Sequence, residues 1–181
     1  IQFIIDDCTN TIPEISGIDG VPGVYDITTC EGGNVCFDIL GSDVDAGQNV
    51  TLNYDNTIPG AVFTQGGTAT NPIGTFCWST NLGDQGTYSF TVFAEDDHCP
   101  LVGQNSAVYT VNVIPNPNDP VIASPDLIIC AGETVLLTAT TTSTSGSTYQ
   151  WTPLNGLSTP SSASTNATPT STTSYTVELT Y

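Results

Sequence analysis

Apolar residues alternate with polar ones along most of this chain. The clearest stripes begin at Val35, Val50, Tyr88 and Ala107, and in each of them every second residue is apolar. A period of two is typical of a β-strand with one buried face. Clusters of Gly, Pro, Asn and Asp between the stripes predict turns, and no stretch has the apolar spacing of an amphipathic helix. The pattern therefore predicts an all-β protein.

A proline-rich segment divides the chain. Pro115, Pro117 and Pro120 fall close together and predict a stiff, extended linker. Beyond it the composition shifts to Ser and Thr, while strand patterns remain legible. The stretch 158–174 is expected to form short polar strands and turns, with a glycosylated stalk as the alternative. We predict three parts: residues 1–11 as the closing strand of an upstream module, 12–117 as a complete domain, and 118–181 as a second domain.

The two larger parts share landmarks. Each has one Trp on a mid-domain strand and a Tyr that opens a late strand, which is the core arrangement of immunoglobulin-like sandwiches. The segment from Thr29 to Val35 also resembles the segment from Ile129 to Val135, since both have a Cys, then a Gly, then a Val at matching positions. We therefore expect tandem immunoglobulin-like β-sandwich domains cut from a longer array, with residues 175–181 as a closing strand.

The negative charge of the chain restricts the classes of partner that it can bind. It contains 18 Asp and Glu residues and no Lys or Arg, for a formal net charge of −18. Nucleic-acid phosphates and anionic membrane surfaces would repel it. No apolar run is long enough for a membrane span, so we expect neither nucleic-acid binding nor membrane insertion. Bound metal cations can offset such carboxylates, and Ca²⁺ is the first to consider.

The cysteines indicate an extracellular protein. There are six, with no CxxC pair, which favours disulfides over zinc or redox chemistry. Four of them fall in the central domain, where three connectivities are open. We predict the mid-strand pair Cys36–Cys77 and the loop pair Cys30–Cys99, with Cys8 and Cys130 unpaired.

Acidic residues cluster at several points. Asp43 and Asp45 stand two residues apart beside a glycine. Asp96 ends the apolar stripe that begins at Tyr88, and Asp6 and Asp7 end the first predicted strand of the chain. Hard cations bind several oxygens from loops of this kind. These clusters therefore predict a cation site, and the alternative is that the carboxylates form a solvated acidic surface.

A set of ordered motifs resembles the landmarks of cadherin-like repeats. The motifs are Gly41–Leu52, Gly74–Phe76, Gly86–Val92, Ala94–Asp96 and Asn118–Pro120. In that family a DxD, an AxD and a linker containing Asn-Asp jointly hold calcium between successive domains. The resemblance implies Ca²⁺ ligands at Asp43, Asp45 and Asp96, facing an upstream linker with Asp6 and Asp7, and a downstream contribution from Asp119. The family's DxE motif appears here only as Asp84-Gln85.

Other motifs resemble repeats of the giant cell-surface adhesins of Bacteroidota. Cys36–Ile39, Phe76–Trp78 and Asp96–Pro100 are similar to their cysteine-bearing Ig-like modules. Cys130–Val135, Tyr149–Pro153 and Thr173–Val177 are similar to their PKD-like modules. The resemblance implies export by the type IX system and a role in surface attachment or gliding motility.

Catalysis is not expected. His98 is the single histidine, and without Lys or Arg the chain has no fixed cation to stabilise an oxyanion. We therefore expect a structural and adhesive repeat segment at the cell surface, whose partners are neighbouring repeats of the same polypeptide and surface glycans or other adhesins. The alternative is a carbohydrate-binding or spacer module of a secreted polysaccharide-degrading enzyme, which an exposed aromatic platform would favour.

Overall fold

The computed structural model describes residues 10–98, 101–117, 120–142 and 147–180. The chain divides into two compact units: one takes in residues 10–81 and 86–114, and the other takes in the residues from Pro115 onward and the loop 82–85. The division at Pro115 lies in the proline-rich segment. Asn10 and Thr11, expected in an upstream module, belong to the first unit. No helix in the described part of the chain is long and apolar enough to cross a membrane.

The first unit is a sandwich of two four-stranded sheets. One sheet has the order β1-β3-β6-β5 and the other has the order β2-β8-β7-β4, and only β2 and β8 run parallel. The strands are β1 Glu14–Ile15, β2 Asp26–Cys30, β3 Asn34–Ser42, β4 Val50–Tyr54, β5 Val62–Gly67, β6 Pro72–Ser79, β7 Gly86–Asp96 and β8 Gln104–Ile114, with a 3-10 turn at Ile18–Gly20. This is the strand arrangement of immunoglobulin-like domains, in which the first strand contributes to both sheets.

The apolar stripes meet between the two sheets. Phe76 and Phe90 stack with ring centroids 4.2 Å apart, and Phe90 lies 5.4 Å from the ring of Tyr109. The Tyr109 hydroxyl donates a hydrogen bond to the Ser16 carbonyl. Burial, with Tyr25 nearby, raises the pKa of Tyr109 well above its ordinary value, so the hydroxyl remains a donor. These contacts confirm the predicted all-β core.

The Cys36–Cys77 disulfide is present, as predicted. The two residues lie directly opposite each other in the antiparallel pair of β3 and β6. Their inward neighbours Phe37 and Phe76 are buried, whereas Cys36 is exposed. The disulfide therefore joins two strands of one sheet on its outer face.

The second predicted pair is not formed, since Cys30 is a free cysteine. Cys30 ends β2 at the level of Ile114, the last residue of β8. Cys99 lies outside the described residues. Cys130 is free, as predicted, and Cys8 lies outside the described residues.

The second unit is a smaller immunoglobulin-like sandwich. Its sheets have the orders β12-β10-β9 and β11-β13. The Trp151 side chain is buried, and its Nε1 donates to the Ser162 carbonyl at 2.9 Å. The Tyr175 hydroxyl donates to the Asn155 carbonyl at 3.0 Å. The strands are β9 Ile122–Ala123, β10 Val135–Thr140, β11 Thr148–Thr152, β12 Ser164–Ala167 and β13 Thr176–Thr180.

Removal of the disulfide should destabilise the first unit. Its cysteines are separated by 41 residues, and closing a loop of that length contributes about 4 kcal/mol on the chain-entropy model. We expect Cys36→Ser combined with Cys77→Ser to lower the free energy of unfolding by about 3–4 kcal/mol in urea titrations. Cys130→Ser, at the exposed free cysteine, is the control and should leave it unchanged. Equal stability of both variants would contradict a stabilising role of the bond.

Candidate functional site: a polar cluster at one end of the first unit

The loops after β3 and after β7 lie at the same end of the first unit. This follows from the register, because Val50 at the start of β4 pairs with Asp96 at the end of β7. Asn10, the first described residue, also lies there, because its side chain donates to Asp96. Asn10, Asp43, Asp45, Gln48 and Asp96 form what we call the polar cluster.

Asp96 is the centre of the polar cluster and is 5% exposed. Its Oδ1 accepts hydrogen bonds from the backbone N–H of His98 at 3.0 Å and of Gly103 at 2.9 Å. Its Oδ2 accepts one from Asn10 Nδ2 at 2.9 Å. Burial alone would raise the pKa of Asp96, but these donors and the charge of His98 together lower it. The carboxylate is therefore ionised at neutral pH.

Amide side chains extend the network from Asp96. Gln48 Nε2 donates to Asn10 Oδ1 at 2.9 Å and lies 3.3 Å from His98 Nδ1. The loop after β7 approaches closely, since a Cβ on Gly103 would lie 2.2 Å from Asp96 Oδ2. Position 103 therefore requires glycine if the carboxylate is to keep its place.

Two oxygens of the polar cluster have no donor. Asp45 Oδ2 accepts from the Thr11 backbone N–H at 2.7 Å, and Asp43 Oδ1 accepts from the Asp45 backbone N–H at 2.7 Å. Asp43 Oδ2 and Gln48 Oε1, by contrast, are buried without a hydrogen-bond partner in the described structure. Burial of an oxygen without a partner is unfavourable. Carboxylate and amide oxygens are also ligands that Ca²⁺ prefers, so these atoms fit a bound cation.

Asp97 lies at the exposed rim. It accepts hydrogen bonds from the backbone N–H of Asn49 at 2.8 Å and from Asn49 Nδ2 at 2.7 Å. These bonds lower its pKa. Asp97 thus joins the loop after β7 to the residue that precedes β4.

The predicted ligands are brought together only in part. Asp43, Asp45 and Asp96 lie at one end of the unit, yet within the described ranges no three His, Cys, Asp or Glu side chains are grouped to hold a metal. Asp45 and Asp96 accept hydrogen bonds from protein donors instead. Asp6, Asp7 and Asp119 lie outside the described residues. The sequence analysis missed Gln48, because no motif marks an amide that follows a turn.

Comparisons with known proteins show the fold. No protein-family model matches the chain, and no curated protein matches it. The structure of protocadherin gammaB7 EC3–6 is similar, with a TM-score of 0.52 at 17% identity, over 93% of this chain and 44% of that one. The structure of protocadherin gamma B2 domains 3–6 has a TM-score of 0.46 at 12% identity, and the match covers 88% of this chain and 42% of that one. The GspB Siglec domain gives 0.43 at 14% identity, over 61% of each chain.

The chain thus spans less than half of the protocadherin structure with the score above 0.5. At that identity the likeness shows the fold alone. The fold is all-β and immunoglobulin-like, and it is similar to that of cadherin domains.

Loss of the Asp96 charge should loosen the polar cluster. In Asp96→Asn an amide replaces the acceptor of three hydrogen bonds. Hydrogen bonds to charged groups are strong, so we expect the free energy of unfolding, measured in urea at pH 7, to fall by about 2 kcal/mol. Glu95→Gln is the control, because Glu95 accepts from Gln104 at the surface, and it should change little.

The difference in the free energy of unfolding between wild type and Asp96→Asn should depend on pH. The pKa of Asp96 is lower in the folded protein than its ordinary value, which is about 3.9. A lowered pKa stabilises the folded state above that value, and the contribution is lost as the pH falls through the folded pKa. The difference should therefore be constant from pH 7 to pH 5 and shrink below about pH 4. A difference that does not change with pH would show that shape rather than charge is responsible.

Proposed function

We propose that this chain is a repeat segment of a large, secreted, surface-attached adhesin, and that the polar cluster binds Ca²⁺ and stiffens the array. The observation that carries the proposal is the pair of buried, unpartnered oxygens, Asp43 Oδ2 and Gln48 Oε1, at one end of a cadherin-like sandwich. The Cys36–Cys77 disulfide agrees with an oxidising, extracellular environment.

The cation would be held by oxygens that the fold already gathers. Asp43 and Gln48 offer the unpaired oxygens, and Asp45 and Asp96 add negative charge. Asp6 and Asp7 precede Asn10 by only a few residues, and Asn10 is bound to Asp96, so they are candidates to complete the set. The ion would offset part of the net charge of −18. The cadherin-like motifs support a contribution of Asp119, which lies outside the described residues, to calcium binding on the downstream side.

The charge and the motifs support the rest of the proposal. Without Lys or Arg, the chain attracts neither nucleic acid nor anionic lipid. Neighbouring repeats of the same polypeptide are its first partners, and surface glycans or other adhesins are its external ones. The adhesin-like and PKD-like motifs support an origin among type IX-exported surface proteins of Bacteroidota that act in surface attachment or gliding. We assign no catalytic role to the chain.

Calcium should stabilise the first unit. A ligand that binds only the folded state raises stability by mass action, so we expect the melting temperature to rise in millimolar CaCl₂ and fall in EDTA. Asp43→Asn should weaken the apparent calcium affinity at least tenfold, yet leave the metal-free protein as stable as wild type or more so, because Asp43 Oδ2 has no donor to lose. Asp45→Asn should also blunt the response.

The exposed Asp26 lies on β2, so Asp26→Asn serves as the matched control and should respond like wild type. An identical melting temperature in CaCl₂ and EDTA for the wild-type chain would contradict the calcium proposal and leave the polar cluster as a structural network.

One surface favours glycan binding as a second candidate function. Phe93 is 41% exposed on the outer face of β7, directly between Asn53 of β4 and Ser106 of β8. Val108, 57% exposed, lies one row further along β8. An exposed aromatic ring flanked by an amide and a hydroxyl suits the apolar face of a neutral sugar.

A glycan array tests this second function. We expect retention of neutral glycans by the wild-type chain and at least a tenfold loss for Phe93→Ala, with Val62→Ala, an exposed apolar residue of the other sheet, unchanged. Binding of no neutral glycan, or equal retention of both variants, would exclude Phe93 as a sugar platform.

A further inference from the structure

A groove lies beside β1 at the edge of the first unit. It has a volume of about 530 Å³, and its lining comes from β1 and the loop that follows it, from the end of β3 and from the start of β6. All of these residues belong to the described part of the first unit. No residue of the polar cluster lines the groove, so it is a separate feature of the unit.

The loop after β1 forms one wall of the groove and is held close to β3. A Cβ on Gly17 would lie 2.0 Å from the Val21 carbonyl oxygen, so the loop folds back on itself without room for a side chain there. Gly20 has a positive φ of 77°, and a Cβ on it would lie 3.0 Å from Leu40 Cδ1. The loop therefore packs directly against the strand, and the wall is formed before any partner binds.

Part of the lining is apolar and aromatic. Leu40 of β3 and Ile73 of β6 lie directly opposite each other, and Leu40 is 39% exposed. Pro22 adds apolar surface from the loop. Tyr25 is half-buried, and its ring lies 5.5 Å from the ring of Tyr109 in the core. The groove thus has an aromatic ring that the core holds in place.

The polar groups of the groove offer acceptors rather than donors. Glu14 is exposed on β1, and within the described residues its carboxylate accepts no hydrogen bond. The Ser16 hydroxyl already accepts from a backbone N–H at 2.9 Å and donates to a backbone carbonyl at 2.8 Å. The Asn71 side-chain amide donates to Thr70 Oγ1 at 3.1 Å. An occupant with donors and an apolar stem would match this lining.

We propose that this groove binds a lysine side chain of a partner protein. The four-carbon stem of a lysine packs against Leu40 and Ile73, while its ammonium group reaches the Glu14 carboxylate. The ammonium group carries three donors and no acceptor, which suits the lining. The Tyr25 ring adds to the attraction, because a cation within about 6 Å of the centre of an aromatic ring is favoured.

Charge complementarity selects a cationic occupant. The chain has 18 Asp and Glu residues and no Lys or Arg, so no Lys or Arg of its own neutralises Glu14. A surface potential of one sign raises the local concentration of oppositely charged partners and speeds their encounter. Glu14 combines this charge with an apolar groove and an aromatic ring. The combination, rather than the charge alone, gives the site its selectivity.

Lysine matches the groove better than arginine or a neutral sugar does. Lysine is a point charge on a flexible apolar stem, whereas arginine has a planar fork that favours two-pronged contacts. Glu14 is the one carboxylate among the described residues that line the groove. A sugar needs donors as well as acceptors, and Ser16 and Asn71 already donate within the chain.

The inference goes beyond calcium binding and does not depend on it, because the polar cluster is not part of the groove. The experiments are therefore done in EDTA, where a failure of the calcium proposal and a failure of this one remain distinct.

A peptide titration of the full chain tests the proposal. The probe is the capped peptide GGKGG, and the same peptide with its lysine acetylated is the control, since acetylation removes the charge. In two-dimensional ¹⁵N NMR we expect the charged peptide alone to shift the backbone signals of Tyr25, Leu40 and Ile73. Binding should weaken between about 50 and about 500 mM NaCl, because salt screens the attraction.

Two variants identify the groups that hold the lysine. Glu14→Gln should weaken peptide binding about fivefold, the effect of an exposed ion pair. Glu178→Gln makes the same change on an exposed residue of the second unit and should leave binding unchanged. Tyr25→Leu keeps an apolar side chain but removes the ring, and should weaken binding about threefold. Because Tyr25 contacts Tyr109, the melting temperature of this variant is measured as well, and the surface variant Glu14→Gln decides if Tyr25→Leu unfolds.

Three results would overturn the proposal. The first is equal binding of the charged and acetylated peptides. The second is equal weakening by Glu14→Gln and Glu178→Gln, which would show that only the overall negative charge attracts the peptide. The third is binding of the arginine peptide GGRGG, or of the neutral sugar cellobiose, in the groove as tightly as GGKGG.

Discussion

The absence of Lys and Arg is the constraint on which the rest of this structure depends. With no Lys or Arg to pair with, several carboxylates instead accept hydrogen bonds from N–H donors. Asp19 accepts from the Asp38 backbone at 2.9 Å and Asp55 from the Thr91 backbone at 3.0 Å. Asp96 takes the same solution furthest, since it is buried and accepts three such bonds. Hydrogen bonds to ionised acceptors are strong enough to replace ion pairs in this role.

The hydrogen bonds to Asp96 contribute both to the stability of the first unit and to the geometry of the polar cluster. The donors that hold Asp96 come from both sides of the loop after β7 and from Asn10, so the entry of the chain is bound to the end of the sheet. The same packing leaves Asp43 Oδ2 and Gln48 Oε1 without donors. These two oxygens are the atoms that the proposed cation would bind.

The two units differ in the size of their immunoglobulin-like sandwiches. The first closes around stacked aromatic rings, has both sheets complete and carries a disulfide on its outer face. The second encloses Trp151 with two small sheets and leaves an apolar edge exposed. A small sandwich buries less of its surface than a large one.

The sequence by itself determined the all-β class, the inward faces of the long strands and the Cys36–Cys77 bond. These follow from a period of two, because alternate side chains of a strand point to opposite faces and residues in register meet across the sheet. Tertiary structure alone decided that β2 runs parallel to β8 with Cys30 opposite Ile114, since local pattern carries no information about strand order or direction. It also decided that Gln48 reaches Asn10. Sequence shows which face of a strand is apolar; only the packed chain shows which neighbour covers it.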